Sequence, residues 1–174
     1  MKCGRPSLTA QRVAMRRAAH IAVPESVSFV PMDFERQALT GQLRRSGFRT
    51  EDPSFFSWLG VTMYLTREAV MATMKSIAAS TPEGSEAVFD FAIDPSLLSP
   101  AHRRALQSMS GPSASVGEPW QSFFDPRTLA AELRTIGFAQ AEDIGPEEIN
   151  ARYFNNRSDE LQVGSLAHLM KVRR

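Results

Sequence analysis

Residues 54–66 read Ser54-Phe55-Phe56-Ser57-Trp58-Leu59-Gly60-Val61-Thr62-Met63-Tyr64-Leu65-Thr66. The first eight are apolar on too many successive positions for a strand with one face in water, so they predict a strand inside a sheet. Thr66 is a helix N-cap by type, and Val70, Met74, Ile77 and Ala78 follow at helical spacing until Pro82 and Gly84 stop the pattern. Ala87-Val88-Phe89-Asp90-Phe91-Ala92-Ile93 is the next apolar run. Asp90 within it is a charge that is costly to bury without a partner. Strand, helix, strand in that order predicts an α/β layered fold.

Working outward, Val27, Phe29 and Val30 form an earlier β-prone run closed by Pro31, and residues 9–20 have the composition of a helix that Pro24 ends. Leu39 and Leu43 mark a helix terminated at Gly47. Residues 94–117 are less regular, with a helix predicted around 101–109 and a Ser/Gly/Pro-rich connection after it; residues 94–124 have the placing of a lid or insertion. Asp125-Pro126 opens a helix carrying Leu129, Leu133 and Ile136 and closed by Gly137. A strand over 138–144, a short helix over 146–153 and a last strand over 166–172 complete the chain. No repeat or long linker divides it, and residues 1–174 read as a single domain.

The 174 residues are 43% apolar and 22% charged, the balance of an ordinary soluble domain. Twenty basic against nineteen acidic side chains leave +1, too little for a global footprint on nucleic acid or an anionic membrane. Cys3 alone makes no intramolecular disulfide, and His20, His102 and His168 lack metal-ligand spacing. No apolar run reaches the roughly 20 residues that span a bilayer, which leads to the expectation of a cytoplasmic protein. Residues 1–24 hold Lys2, Arg5, Arg12, Arg16 and Arg17 without an acid, the composition of a mitochondrial transit helix or of a solvated helix face. There is no G-x-G-x-x-G, no P-loop and no G-x-S-x-G. Neither a dinucleotide turn nor a nucleophile elbow is encoded.

What remains is position. Ligands of open α/β sheets sit outside the carboxyl ends of the strands, where Asp33, the 58–64 stretch and Asp90 are expected. A carboxylate there can accept from an exocyclic amine such as that of adenine, with Phe34 or Trp58 as an apolar wall; Asp33 acting as a cap and Trp58 as core are the competing readings.

Phe29-Val30-Pro31-Met32-Asp33-Phe34, Phe55 to Thr66, Val88-Phe89-Asp90-Phe91 and Asn150-Ala151-Arg152-Tyr153-Phe154 together resemble the leucine carboxyl methyltransferase-like family of S-adenosylmethionine-dependent O-methyltransferases, in its bacterial and especially mycobacterial branch. The similarity runs from about Thr9 onward. It implies a class I methyltransferase fold, a Rossmann-like three-layer sandwich, with the first strands lacking. Neither the family's glycine-rich first turn nor its acidic second-strand end is in this sequence, so the chain is expected to be a back portion, inactive if nothing supplies the rest.

The resemblance further implies S-adenosylmethionine as cofactor, met by Asp33 and Phe34 at the adenine ring and by Trp58, Leu59 and Gly60 beside the acceptor. Many relatives have glutamate where Leu59 stands. Tyr64, Arg152 and Tyr153 are implied on the acceptor side, where an arginine can hold a carboxylate in bidentate fashion; a surface ion pair is the other reading of Arg152. The implied acceptor is a carboxylate of a small molecule or peptide, which needs no general base, and no catalytic residue is assigned. Absent strands between the Val27 run and the Phe55 run would leave open sheet edges, so self-association is expected. The alternative to an enzyme is a non-catalytic α/β ligand-binding or interaction remnant.

Overall fold

The computed structural model describes residues 30–174. The helix predicted over 9–20 and most of the strand predicted at Val27, Phe29 and Val30 lie outside the described residues. In chain order the elements are α1 (Leu39–Arg45), β1 (Phe55–Trp58), a 3-10 turn (Thr62–Tyr64), α2 (Arg67–Ser80), β2 (Glu86–Ala92), a second 3-10 turn (Pro95–Leu97), α3 (Pro100–Ser115), α4 (Pro126–Thr135), β3 (Gln140–Ile144), α5 (Pro146–Tyr153) and β4 (Ala167–Arg173).

Local chemistry sets the helix starts. The side chains of Thr66, Ser99 and Asp125 each accept the backbone N–H three residues on, and proline stands in the first turn of α3, α4 and α5. One boundary departs from expectation. The helix predicted around 101–109 runs on to Ser115 through Gly111 and Pro112, with Leu106 as its buried residue.

The sheet order is β1-β2-β4-β3. β1 and β2 pair in parallel through the α2 crossover, while β4 lies antiparallel between β2 and β3. The carboxyl ends of β1, β2 and β3 therefore share one rim with the amino end of β4. Phe56, Trp58, Phe89, Phe91, Met170 and Val172 point to one face, which α2 and α4 cover with Val70, Met74, Ile77, Leu129 and Leu133. Aromatic contacts run along this core from Trp58 to Phe89, Phe91 and Phe124.

The strand at 55–58 differs from its predicted interior setting. Among the described residues it pairs only with β2 and forms an edge, and Phe55 on the second face is 65% exposed. That second face also carries Glu86, Val88, Lys171 and Arg173, with Glu86 between the two cations at 3.7 and 3.9 Å. The apolar run reflects a strand suited to burial on both faces, of which the described residues cover one. No described helix is long and apolar enough to cross a membrane.

Candidate functional site

At the rim, the chain leaves β1 through Leu59, Gly60 and Val61. Gly60 has φ +74, and a Cβ added there would meet nothing within 4 Å, so backbone conformation alone calls for glycine. Its N–H donates to Oδ1 of Asp90 at 2.8 Å, and the hydroxyl of Thr62 donates to the Asp90 carbonyl oxygen at 2.5 Å. The charge that is costly within a strand thus has a partner: it fixes the turn beside it.

Residues 121–124 strap this turn from the other side. The backbone N–H of Gln121 donates to the Met63 carbonyl at 2.7 Å, its side-chain amide to the Tyr64 carbonyl at 2.5 Å, and the buried Ser122 hydroxyl to the Thr62 carbonyl at 2.8 Å. Phe124 then bonds along the end of β2, accepting from Asp94 N–H and donating to the Ala92 carbonyl. Arg67 spans the Phe124 ring at 4.8 Å and reaches both oxygens of Glu132 at 2.5 and 2.7 Å. Gln121, Ser122 and Glu132 carry no local sequence signal for these roles, since their partners are 57 to 65 positions away.

The 33–37 turn closes the site. Phe34 packs on Trp58 with ring centroids 5.1 Å apart, tilted by 36°. Glu35 fastens the turn to the start of α2: its carboxylate accepts the Thr66 N–H at 2.7 Å and the Thr66 hydroxyl at 2.9 Å. Asp33 is exposed; its Oδ1 accepts the Glu35 N–H at 3.0 Å and Oδ2 faces Arg36 at 3.8 Å. Asp33 thus closes the 33–37 turn and does not cap the following helix, since α1 starts at Leu39 with Ala38 as its N-cap and no side-chain cap bond. Trp58 is core, as its competing reading had it, yet its indole Nε1 is buried with no hydrogen-bond partner among the described residues.

Arg152 and Tyr153 end α5, the helix that follows β3. Among the described residues no hydrogen bond or ion pair joins either to the 58–64 stretch; Arg152 pairs with Glu148 one turn back, and Tyr153 is 66% exposed. Tyr64 is half-buried and Leu59 likewise. A groove of about 380 Å³ shares Phe34 but extends along Leu39, Thr73 and Ser76 between α1 and α2, away from the strand ends. It contains neither Trp58 nor Gly60, so the rim, where three strand ends and their connections converge, is the better candidate.

Two carboxylates on the rim titrate low. The Ser96 backbone N–H holds Asp94 below the ordinary carboxylate range, and the Thr128 backbone N–H does the same for Asp125. Both are cap interactions. No group of three or more His, Cys, Asp or Glu among the described residues could hold a metal ion.

A parallel sheet with an inserted antiparallel strand, its connections converging at the strand ends, defines the class: the fold is that of class I S-adenosylmethionine-dependent methyltransferases. It superposes on a Thermobifida fusca YX structure described as a "putative methyltransferase" with TM-score 0.59 and 16% identity, over 93% of this chain and 59% of that one. The S-adenosylmethionine-dependent methyltransferase SibL in its apo form matches with TM-score 0.56 and 13% identity, over 96% and 41%.

Within the sequence, residues 6–78 match the family model for leucine carboxyl methyltransferase. The Bacillus subtilis (strain 168) protein "Putative S-adenosyl-L-methionine-dependent methyltransferase YktD" is 31% identical over 150 residues, 86% of this chain and 49% of the relative. The chain belongs to the leucine carboxyl methyltransferase-like family, and it spans about half the length of the curated relative it matches.

Proposed function

We propose that this chain forms part of an S-adenosylmethionine-dependent O-methyltransferase that esterifies a carboxylate, or methylates another oxygen, of a small molecule or peptide. The observation that carries this reading is the Phe34–Trp58 ring pair at the end of β1, next to the turn that Asp90 holds, with the exposed Asp33 directly before Phe34 in the chain. Adenine presents a π face and an exocyclic amine, which match an aromatic wall and an anionic acceptor. The buried Trp58 Nε1 adds a donor in need of an acceptor. These residues fit the adenine end of the cofactor; Leu59 and Gly60 would lie beside it.

When bound, the cofactor's sulfonium supplies an electrophilic methyl group. The chain's part is to orient and to exclude water. A carboxylate acceptor is already ionised at neutral pH, so alignment rather than proton removal is what the protein must provide. Tyr64, Arg152 and Tyr153 are the proposed acceptor-side residues; Arg152 would exchange Glu148 for a substrate carboxylate.

Calorimetric titration of S-adenosylmethionine, or of its demethylated product, into the chain tests this. Saturable binding that weakens at least about tenfold in Asp33→Ala or Phe34→Ala is the expected result. A folded chain that binds neither compound overturns it. A second reading, a non-catalytic remnant that pairs through its sheet edge, is favoured by the exposure of Phe55 on edge strand β1. Sedimentation distinguishes it: this remnant self-associates, and Phe55→Lys returns it to monomer.

A further inference from the structure

We propose that the groove between α1 and α2 is a second ligand site, apart from the rim, which takes a small primary amine carried on a short apolar body. The groove encloses about 380 Å³, within the range of small-molecule sites. Its floor is a stripe of α2, Ala69, Ala72, Thr73 and Ser76, on which the alanines leave space that larger side chains would fill. Phe34 and Leu39 are its apolar walls, and both also pack against the core. The walls are therefore in place before any ligand enters.

The floor holds a buried hydroxyl with nothing to bond. α2 carries Thr73, Ser76 and Ser80. Ser80 donates back to the Ser76 carbonyl, and the Ser76 hydroxyl meets Thr40 of α1. Thr73 is 5% exposed, and its hydroxyl makes no hydrogen bond among the described residues. A threonine in or just after a helix can satisfy itself on the carbonyl four residues back, as Thr81 does on Ile77 at 2.8 Å. Thr73 does not, although a buried hydroxyl left unbonded is costly. It lies on the stripe that lines the groove, where a ligand donor can reach it.

The carboxylates beside it select the ligand. Glu35 and Glu68 both line the groove. Glu35 accepts from Thr66 twice but has no ion pair among the described residues, and Glu68, in the first turn of α2, has there neither an ion pair nor a hydrogen bond. The neighbouring cations do not neutralise them: Arg36, which also lines the groove, faces Asp33 at 3.8 Å, Arg67 is held by Glu132, and Arg44, Arg45 and Lys75 do not line it. Two carboxylates without counter-ions and one unbonded hydroxyl suit the three donors of an ammonium group, and the Phe34 wall suits its apolar body.

Calorimetric titration of 2-phenylethylamine into the chain at neutral pH tests this, with 2-phenylethanol, ethylamine and phenylacetate as comparison probes and E68Q and T73V as variants. We expect saturable binding of the arylalkylamine, at least about tenfold weaker binding of the alcohol and of ethylamine, and none of the acid. Each variant should weaken amine binding about three- to fivefold, the worth of one exposed ion pair or one hydrogen bond. T73V should do so while the denaturation midpoint stays level or rises, because the free chain loses only an unsatisfied hydroxyl. A purely structural threonine would instead move the midpoint and leave binding alone. A folded chain that does not bind the amine, equal binding of amine and alcohol, binding unchanged in both variants, or displacement of the amine by the demethylated cofactor, which would put it on the rim, each overturns the proposal. Cofactor titration in parallel keeps the two readings apart: amine bound without cofactor leaves this site standing and removes the methyltransferase, and cofactor bound without amine does the reverse.

Discussion

The carboxylate of Asp90, in β2, accepts the backbone N–H of Gly60 at 2.8 Å across the parallel β1–β2 pair. One side chain thus couples the sheet to the turn on which Trp58, Leu59 and Tyr64 depend. Asp90→Ala leaves the Gly60 donor without this acceptor, and chemical denaturation should show a loss of about 1–3 kcal/mol. Asp90→Asn keeps an oxygen acceptor and should lose about half as much. Equal losses in the two variants would mean that the bond is immaterial.

Gly60 itself isolates a backbone effect. A methyl group there meets nothing within 4 Å, yet φ is +74. Gly60→Ala should therefore cost about 1–2 kcal/mol from conformation alone, and Gly60→Asn less, because asparagine tolerates the left-handed region. A stability scan in which alanine is neutral would show that the turn is held some other way.

Glu35 fastens the 33–37 turn to the start of α2 through two acceptor contacts with Thr66. Glu35→Ala should lower stability by about 1 kcal/mol. More specifically, it should speed amide exchange at Asp33 to Gln37, and weaken cofactor binding if the turn holds adenine. Exchange unchanged in that segment would contradict this placement.

Acid sensitivity follows from the caps. Backbone N–H donors depress the carboxylates of Asp94 and Asp125 below their ordinary value of 3.8. A depressed folded pKa contributes stability that is present above the unfolded value and lost as pH falls through the folded one. Stability should thus decline below about pH 4, and the double variant Asp94→Asn/Asp125→Asn should flatten that limb while starting lower at neutral pH. Denaturation curves at stepped pH read this directly.

The Arg67–Glu132 pair is half-exposed on both sides, so its Coulomb part should be modest, about 0.3–1 kcal/mol in a double-mutant cycle. Arg67→Lys should restore it only in part, because an ammonium has no planar face to lay over Phe124.

The elements were largely determined by local sequence. Apolar runs at 87–93, N-caps at Thr66 and Asp125 and stops at Pro82 and Gly137 are short-range choices, and they survive folding because burial of Val70, Met74, Leu129 and Leu133 reinforces them. The extent of α3 was not legible locally, since Gly111 and Pro112 predict a stop that the helix runs through. Among the candidate site residues, Asp33, Phe34, Trp58 and Gly60 were singled out by their place at strand ends. Only tertiary structure decided that Phe34 stacks on Trp58, that Asp90 serves Gly60, and that Arg152 turns back to Glu148. It also decided that β4 inserts between β2 and β3. Periodicity reports which face of a segment is apolar. Strand order and long-range hydrogen bonds depend on which faces meet, a choice made by packing among residues tens of positions apart.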